Sequence, residues 1–444
     1  MRQVDILLIT AIDARRVLIV AGPDGWQLPS ATPDEDHFWQ VVAPVNRAAA
    51  RLVLATTTLR CLQLVGDTDA DELRRYYALE LHSQPPDQPG WHWVGLADLG
   101  TFSFAHAEQQ SILSHWLAGV SSQIGWYQPG GTATVAAWTQ AALTTLGRTP
   151  TGASEQLRSW ERSALMRTPT AGGLAYTKAV PAVFDHEPAL TAALAAWVPG
   201  RTAAVLAHDS ARGLLLDNAG ERSLAEVSDP TVWVQALTRL AELQIALTQR
   251  LPDLLQLGVP DRRLDQLHTW MDALLADEPA LRRSPAGLTT EEITALRALR
   301  PMLQAACATL LAGAVPASLE HGDCFPTQIL LADDRPVVID WSDSSVSHPF
   351  FSLGFLIEPE CPRPESDDSD ILLRQAYLAP WEAFAPHDEL ERLFDAALLL
   401  APLHHALIYH RTILPAMENG WEMERMLPYY LRLLLGHAQA FASC

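Results

Sequence analysis

Residues 321–331 read HGDCFPTQILL, and residues 337–341 read VVIDW. The pattern predicts a loop that carries Asp323, an amide at Gln328, a hairpin, and Asp340 at the end of an apolar strand. Phosphoryl transfer requires such a set: one carboxylate accepts the proton of the attacking hydroxyl, while an amide oxygen and a second carboxylate hold magnesium against the nucleotide phosphates. Either aspartate alone would more often cap a turn, but the joint spacing favours a phosphoryl-transfer site.

These motifs resemble those of the aminoglycoside phosphotransferase-like family, a branch of the protein-kinase-like fold that includes choline kinases and carries an HGDxxxxN loop and a later (I/V)DW. The resemblance implies a two-lobed α+β fold, ATP as the phosphate donor and magnesium as the metal. It makes Asp323 the catalytic base and Asp340 the main metal ligand. Gln328 stands where the family has asparagine, so its longer side chain would coordinate by folding back or through water.

A second part of the resemblance lies upstream. Residues 164–180 predict a strand, a tight turn with a glycine pair, and a strand that carries Lys178, and Glu187 follows just inside a predicted helix. The resemblance implies that Lys178 holds the α- and β-phosphates of ATP and that Glu187 pairs with Lys178. It also places Gly172 in a turn that covers the phosphates, although glycine pairs mark ordinary hairpins equally well.

The front of the chain alternates strands and turns. Residues 26–29, WQLP, follow two strands and precede a helix, and they resemble the opening of a Nudix domain. The metal-binding Nudix helix would correspond to residues 51–59, where Leu52, Ala55 and Thr56 occupy the three glutamate positions. Neutral side chains cannot hold a divalent metal. The resemblance implies a Nudix-like domain without catalytic glutamates that serves structure, dimerisation or ligand sensing, and a generic small α/β domain is the alternative.

The boundaries of the domains follow from these assignments. A small Nudix-like α/β domain is predicted over 1–118 and a polar linker over 119–131. A kinase-like N-lobe is predicted over 132–228, and a mostly helical C-lobe over 229–444, with the catalytic loop at 321–341. Because the linker is polar, a chain that begins near residue 121 is expected to fold and to bind nucleotide without the front domain.

Composition limits the classes of function. The 444 residues include 31 Lys and Arg against 52 Asp and Glu, a net charge of −21 at pH 7, so the chain repels phosphate backbones and anionic lipid surfaces. We therefore expect no nucleic-acid and no membrane partner. Five scattered cysteines without CxxC spacing predict a protein without disulfides or a zinc site. The N-terminal apolar run is too short for a membrane span and lacks a signal-peptide cleavage region, so we expect a cytoplasmic protein.

Two functions are consistent with these motifs. The first is an ATP- and magnesium-dependent phosphotransferase that moves the γ-phosphate to a hydroxyl of a small molecule, either an aminoglycoside-like antibiotic or a hydroxylated metabolite. The second is a non-catalytic nucleotide- or partner-binding pseudokinase fused to an inactive Nudix module. Gln328 favours the pseudokinase, whereas Lys178, Glu187, Asp323 and Asp340 favour the enzyme. The neutral residues of the front domain argue against a Nudix pyrophosphohydrolase, and a homodimer stays open.

Overall fold

The chain folds into two units that combine helices with sheets, which confirms the prediction of a mixed helix-and-sheet fold. The computed structural model describes residues 1–52, 54–67, 71–83, 87–119, 122–283, 286–365, 368–420 and 423–442. Contacts between Cα atoms divide it into a first unit, Met1–Pro181, and a second unit, Ala182–Cys444. Across the described residues, each helix is too short or too polar to cross a membrane.

The first unit is built mainly from strands. Its strands are β1 Arg2–Thr10, β2 Arg16–Gly22, β3 Gly25–Gln27, β4 Ser30–Ala31, β5 Thr56–Asp67, β6 Glu72–Leu81, β7 Trp91–Gly95, β8 Glu155–Trp160, β9 Ser163–Thr170 and β10 Gly173–Ala179. Its helices are α1 Ala43–Arg51, α2 Ala107–Leu117 and α3 Gly131–Thr145. In a sheet of order β3-β2-β1-β6-β5, β1 is parallel to β6 and antiparallel to β2. Residues Val4 to Thr10 are all buried, so both faces of β1 are covered.

The Nudix-type helix predicted over residues 51–59 is not formed there. α1 ends at Arg51 and β5 begins at Thr56, while residue 53 lies outside the described residues. Three consecutive threonines, 56–58, explain the difference, since β-branched side chains favour strands over helices. The alignment of these positions with helix glutamates is therefore wrong, and a Nudix-like fold for the front of the chain stays a prediction.

The front strands and the strands β8 to β10 belong to one compact unit. The segment before α1 runs along an edge of β8, where the Ser159 N–H donates to the Gln40 carbonyl at 3.0 Å and the Val42 N–H donates to the Leu157 carbonyl at 2.9 Å. The buried Ser159 hydroxyl also donates to the Leu59 carbonyl of β5 at 2.5 Å. The backbone of the front part thus completes the hydrogen bonding of β8.

Of the segment predicted as a linker, 119–131, the described residues 122–131 also pack within this unit. Their buried side chains form one apolar cluster with two alanines of β9 and β10, namely Ile124, Trp126, Tyr127, Ala164 and Ala179. The Trp126 indole donates to the Trp160 carbonyl at 2.9 Å. These contacts hold the segment against the strands that follow it.

Removal of residues 1–121 is expected to make the rest of the chain aggregate. The deletion would leave β8 with an unpaired edge, and exposed strand edges pair with other molecules. The contacts of β8 therefore revise the expectation of independent folding from about residue 121, which itself lies outside the described residues. Light scattering of the shortened and full-length chains is the measurement, and a monodisperse shortened chain that binds nucleotide would contradict the expectation.

The second unit is mostly helical. Its helices are α4 His186–Trp197, α5 Pro230–Leu247, α6 Leu251–Gln256, α7 Leu264–Ala276, α8 Glu278–Leu281, α9 Thr290–Ala298, α10 Arg300–Ala312, α11 Ser369–Leu378, α12 His387–Ile408, α13 Leu414–Ala416 and α14 Met423–Ala442. Its strands are β11 Val205–Asp209, β12 Gly213–Asp217, β13 Ser318–Glu320, β14 Ile329–Ala332, β15 Arg335–Val338 and β16 Ser345–Ser347. α5 starts at Pro230, with the Asp229 carboxylate accepting from the Thr231 N–H at 2.9 Å.

Short sheets lie among these helices. β13 pairs with β16, and β14 pairs with β15. α5 contacts both β13 and β15, and its fully buried Trp233 and Leu240 share one apolar core with Leu319 and Trp341. The segment between β13 and β16 is therefore held by a packed scaffold, which is the setting that a precise site requires.

Candidate active site

The motif residues lie on a loop and a hairpin between β13 and β16. β13 ends at Glu320, and the loop 321–325 carries Asp323. β14 and β15 are joined by two residues, Asp333 and Asp334, whose φ angles are positive, 48° and 61°. Two-residue hairpin turns with positive φ at both positions match the twist of the strands. The predicted hairpin is confirmed.

Gly322 allows the loop to turn directly before Asp323. Its φ of +80° lies in the left-handed region that favours glycine. A Cβ at this position would lie 2.3 Å from the Asp343 carbonyl oxygen, so a side chain would collide with backbone. The Gly322 N–H donates to Glu320 Oε1 at 2.6 Å. The glycine of the motif is thus required by both conformation and space.

His321 ties the Asp323 loop to the strand that leads to Asp340. Its fully buried ring donates from Nε2 to the Ile339 carbonyl at 2.9 Å and accepts at Nδ1 from the Asp323 N–H at 3.3 Å. Because a carbonyl only accepts and a backbone N–H only donates, these partners select the neutral tautomer with its proton on Nε2. Burial lowers the pKa of His321, although the bond to the Ile339 carbonyl opposes that shift.

Gln328 and Asp340 are brought close by the backbone. The Ile339 N–H donates to the Gln328 carbonyl at 2.9 Å, which places the residue before Asp340 against Gln328. Asp340 has a φ of +63°, an uncommon conformation for a residue other than glycine that concentrates at functional sites. Its Oδ1 accepts from the Ser342 hydroxyl at 2.9 Å. Both Gln328 and Asp340 are half-buried.

The donor atoms of this pair fit magnesium. A carboxylate and an amide oxygen are hard ligands, and magnesium in proteins uses one or two carboxylates and keeps water and phosphate oxygens in its other positions. In the part of the chain that the structure describes, no group of three or more His, Cys, Asp and Glu side chains is arranged to hold a metal. The chemistry of Asp340 and Gln328 thus fits a magnesium ion whose other ligands are water and phosphate oxygens.

A carboxylate outside the motif, Glu320, lies directly behind the loop. It is fully buried, and its Oε2 lies 3.2 Å from Nε2 of His404 on α12 and accepts from the Ser345 hydroxyl at 3.2 Å. Burial alone would raise the pKa of Glu320, but the hydrogen bond and charge of His404 and the charge of His405 lower it to about 2. Glu320 is not among the residues predicted from the sequence motifs. Two features of the sequence could have indicated it: Glu320 is a charged residue in a short, mostly apolar segment, and His404 lies on an apolar helix.

The upstream candidates lie in both units. Lys178 is on β10 of the first unit and is 9% exposed. Gly172 lies in the turn before β10, where its N–H donates to the Thr170 hydroxyl at 3.2 Å, but the positive φ of this turn belongs to Gly173. Glu187 is buried in the first turn of α4 in the second unit. The predicted strand, turn and helix are confirmed, and the roles of the three side chains stay predictions.

The model of the phosphotransferase enzyme family (APH) matches residues 170–393 of this chain. The chain belongs to the phosphotransferase enzyme family. The match contains all six candidate residues, namely Gly172, Lys178, Glu187, Asp323, Gln328 and Asp340. The family resemblance of the motifs is thereby confirmed. No protein with a curated description matches the chain by sequence.

Several solved structures are similar to this chain. A proposed fructosamine-3-kinase from Thermobifida fusca YX-ER1 has 18% identity and a TM-score of 0.48, over 70% of this chain and 99% of its own. Macrolide 2'-phosphotransferase type I has 15% identity and a TM-score of 0.45, over 69% and 97%. A choline/ethanolamine kinase family protein from Mesorhizobium loti has 16% identity and a TM-score of 0.46, over 70% and 98%.

The folded protein is expected to lose stability as the pH falls below about 6.5. Burial lowers the pKa of three buried histidines: His321, His348, to about 3, and His405, to about 4. Between pH 6.5 and these values the unfolded chain takes up protons that the folded chain does not, so the free energy of unfolding falls with pH. Each histidine contributes up to about 1.4 kcal/mol per pH unit.

Urea unfolding at a series of pH values tests this expectation. His348→Gln is the matched variant, because glutamine keeps an acceptor near the Phe350 N–H, which lies 3.3 Å from Nδ1 of His348, but does not titrate. In His348→Gln, the number of protons taken up on unfolding should be smaller by about one, so the free energy of unfolding should depend less steeply on pH. An unfolding free energy that stays constant or rises between about pH 6.5 and 5 would contradict the assignment of buried neutral histidines.

Proposed function

We propose that this member of the phosphotransferase enzyme family is an ATP- and magnesium-dependent enzyme that transfers the γ-phosphate to a hydroxyl of a small molecule. The observation that carries the proposal is the joint placement of Asp323, Gln328 and Asp340 within the second unit. His321 accepts a hydrogen bond from the Asp323 N–H and donates one to the Ile339 carbonyl. The Ile339 N–H in turn donates to the Gln328 carbonyl. These bonds support a preorganised site, in which groups need little rearrangement during the reaction.

Asp323 would orient the acceptor hydroxyl and take its proton. As the hydroxyl oxygen bonds to the γ-phosphorus, the bond from that phosphorus to the bridging oxygen breaks, ADP leaves with the bond electrons, and the proton passes to the Asp323 carboxylate. Asp323 is half-buried, and this partial exposure supports a role toward an acceptor that arrives from solvent. Because the phosphate does most of the chemistry, the protein contributes mainly position and charge.

The remaining candidates would bind the nucleotide. Lys178 would hold the α- and β-phosphates, Glu187 would hold Lys178, and the turn at Gly172 would cover the phosphates. Asp340 and Gln328 would hold magnesium, which neutralises the phosphate charge when bound. The low exposure of Lys178 and Glu187 supports this assignment, since buried charges are retained where they have a specific partner or ligand.

The alternative is a protein that binds nucleotide without turnover. One departure from the family motif favours it, because Gln328 replaces the asparagine that usually completes the metal site. The carbonyl of Gln328 is fixed by the Ile339 N–H, so only its longer side chain has to adapt. A change of one methylene in a flexible side chain is easier to accommodate than the loss of Asp323 or Asp340 would be.

A screen of ATP consumption tests the proposed function. The full-length chain is incubated with ATP, with and without magnesium, and with a panel of aminoglycosides, macrolides, amino alcohols and sugars. Magnesium-dependent consumption that requires one class of acceptor is the expected result. Absence of consumption with every acceptor, together with turnover in Gln328→Asn, would instead identify the native chain as a binding protein.

A further inference from the structure

Glu320 uses both carboxylate oxygens within the protein. Oε1 accepts from the Gly322 N–H at 2.6 Å, and Oε2 faces Nε2 of His404 at 3.2 Å and the Ser345 hydroxyl at 3.2 Å. Ionised groups in the interior are costly even when paired, and apolar replacements of buried ion pairs are often neutral or stabilising. Stability alone therefore does not explain a carboxylate at this position.

His404 is held in place independently of Glu320. It lies on α12, 84 residues away in the sequence, and its ring stacks on Phe351 with a centroid distance of 4.6 Å and an interplanar angle of 22°. The side chain is 2% exposed. The long helix thus presents a fixed nitrogen to Glu320, and Glu320 passes that constraint to the catalytic loop.

The constraint reaches Asp323 through one peptide unit. Glu320 fixes the direction of the Gly322 N–H, and Gly322 sits in the left-handed conformation, with its φ of +80°, directly before Asp323. Rotation of this peptide would move the Cα of Asp323 and its carboxylate. Catalytic groups misplaced by about 1 Å lower rates on the order of 100-fold.

We infer that Glu320, held by His404, is a positioning residue that sets the place of the Asp323 carboxylate. The inference rests on the proposed function, because it assigns to Asp323 the role of the base. The proposed role of Glu320 requires no contact with the acceptor or the nucleotide. It acts through the Gly322 N–H, and its effect belongs to the chemical step.

His404→Phe is the decisive variant, because phenylalanine keeps the stack on Phe351 and removes the nitrogen that faces Glu320. We expect kcat to fall at least about tenfold, with the KM for ATP changed by less than about twofold, since the interaction lost acts on the transition state and not on nucleotide binding. His404→Gln restores an N–H donor and should recover most of kcat. If His404 only stabilised the fold as a whole, His404→Phe would change both KM and kcat.

His410→Phe is the matched control. Nε2 of His410 lies 2.9 Å from Oδ2 of Asp277, a second histidine–carboxylate pair of the same unit, at the start of α8 and outside the catalytic loop. This variant should keep kcat. Equal losses of kcat in His404→Phe and His410→Phe, or no loss in His404→Phe, would overturn the inference.

Hydrogen exchange separates this inference from the proposed function. If the wild-type chain transfers no phosphate, the proposed function fails, but exchange of the peptide that covers 321–325 still reports on the loop. Exchange of this peptide should be at least about tenfold faster in Glu320→Ala and His404→Phe than in the wild type, and unchanged in His410→Phe. Unchanged hydrogen exchange of this peptide in both Glu320→Ala and His404→Phe would show that Glu320 does not hold the loop.

Discussion

Asp323→Asn is expected to lower phosphotransfer at least about 100-fold, the usual contribution of a positioned general base, and to leave the affinity for ATP almost unchanged. Asparagine keeps the size and the hydrogen bonding of the side chain but removes the basic carboxylate. The bond from the backbone N–H to Nδ1 of His321 does not involve the side chain, so the loop should keep its shape. Turnover with an identified acceptor and calorimetric titration with ATP are the two measurements.

The matched control for this change is Asp333→Asn. Asp333 lies in the hairpin turn with a side chain 94% exposed, and asparagine tolerates its positive φ. This variant should behave as the wild type. Turnover of Asp323→Asn within a few-fold of the wild type would remove Asp323 from the role of base and leave the loop with a purely binding role.

Asp340→Asn is expected to abolish the gain in ATP affinity that magnesium provides. Asparagine is preferable to alanine in this test, because it tolerates the φ of +63° at this position and can keep the hydrogen bond from Ser342. The change removes the negative charge that a hard divalent cation requires. Calorimetric titration with ATP, with and without magnesium, measures the effect.

Asp334→Asn controls for the backbone conformation at Asp340. Its φ of +61° is nearly the same, but its side chain, 93% exposed, pairs with Arg222 at 3.4 Å on the surface. Magnesium should raise the ATP affinity of this variant as it does for the wild type. If Asp340→Asn retains the full magnesium effect, the metal is held elsewhere.

The parts of the site that follow from neighbouring residues could be predicted from the sequence. The hairpin was predictable because its strands are apolar and joined by two aspartates that tolerate positive φ, and the loop was predictable because glycine precedes Asp323. The contact of Glu320 with His404 was not predictable, since it joins residues 84 positions apart. It depends on the packing of α12 against the loop, which no local pattern encodes.

At the front of the chain, the structure differs from the prediction made from the sequence. The resemblance to a Nudix domain predicts a helix at Thr56, but β5 begins there, because three consecutive threonines favour a strand. The pairing of Val42 and Gln40 with β8 was also missed. A polar, glycine-rich segment looks like a linker in sequence, whereas burial of Trp126 and Tyr127 depends on strands that follow later in the chain.

Direct detection of a phosphorylated product tests whether the protein transfers phosphate to a hydroxyl group. Wild-type protein and Asp323→Asn are incubated with ATP, magnesium and each acceptor class, and the acceptors are analysed by mass spectrometry for a phosphate ester. We expect a phosphorylated hydroxyl compound with the wild type and at least about 100-fold less of it with Asp323→Asn. Wild-type protein that binds ATP with magnesium but forms no phosphate ester on any acceptor would contradict it.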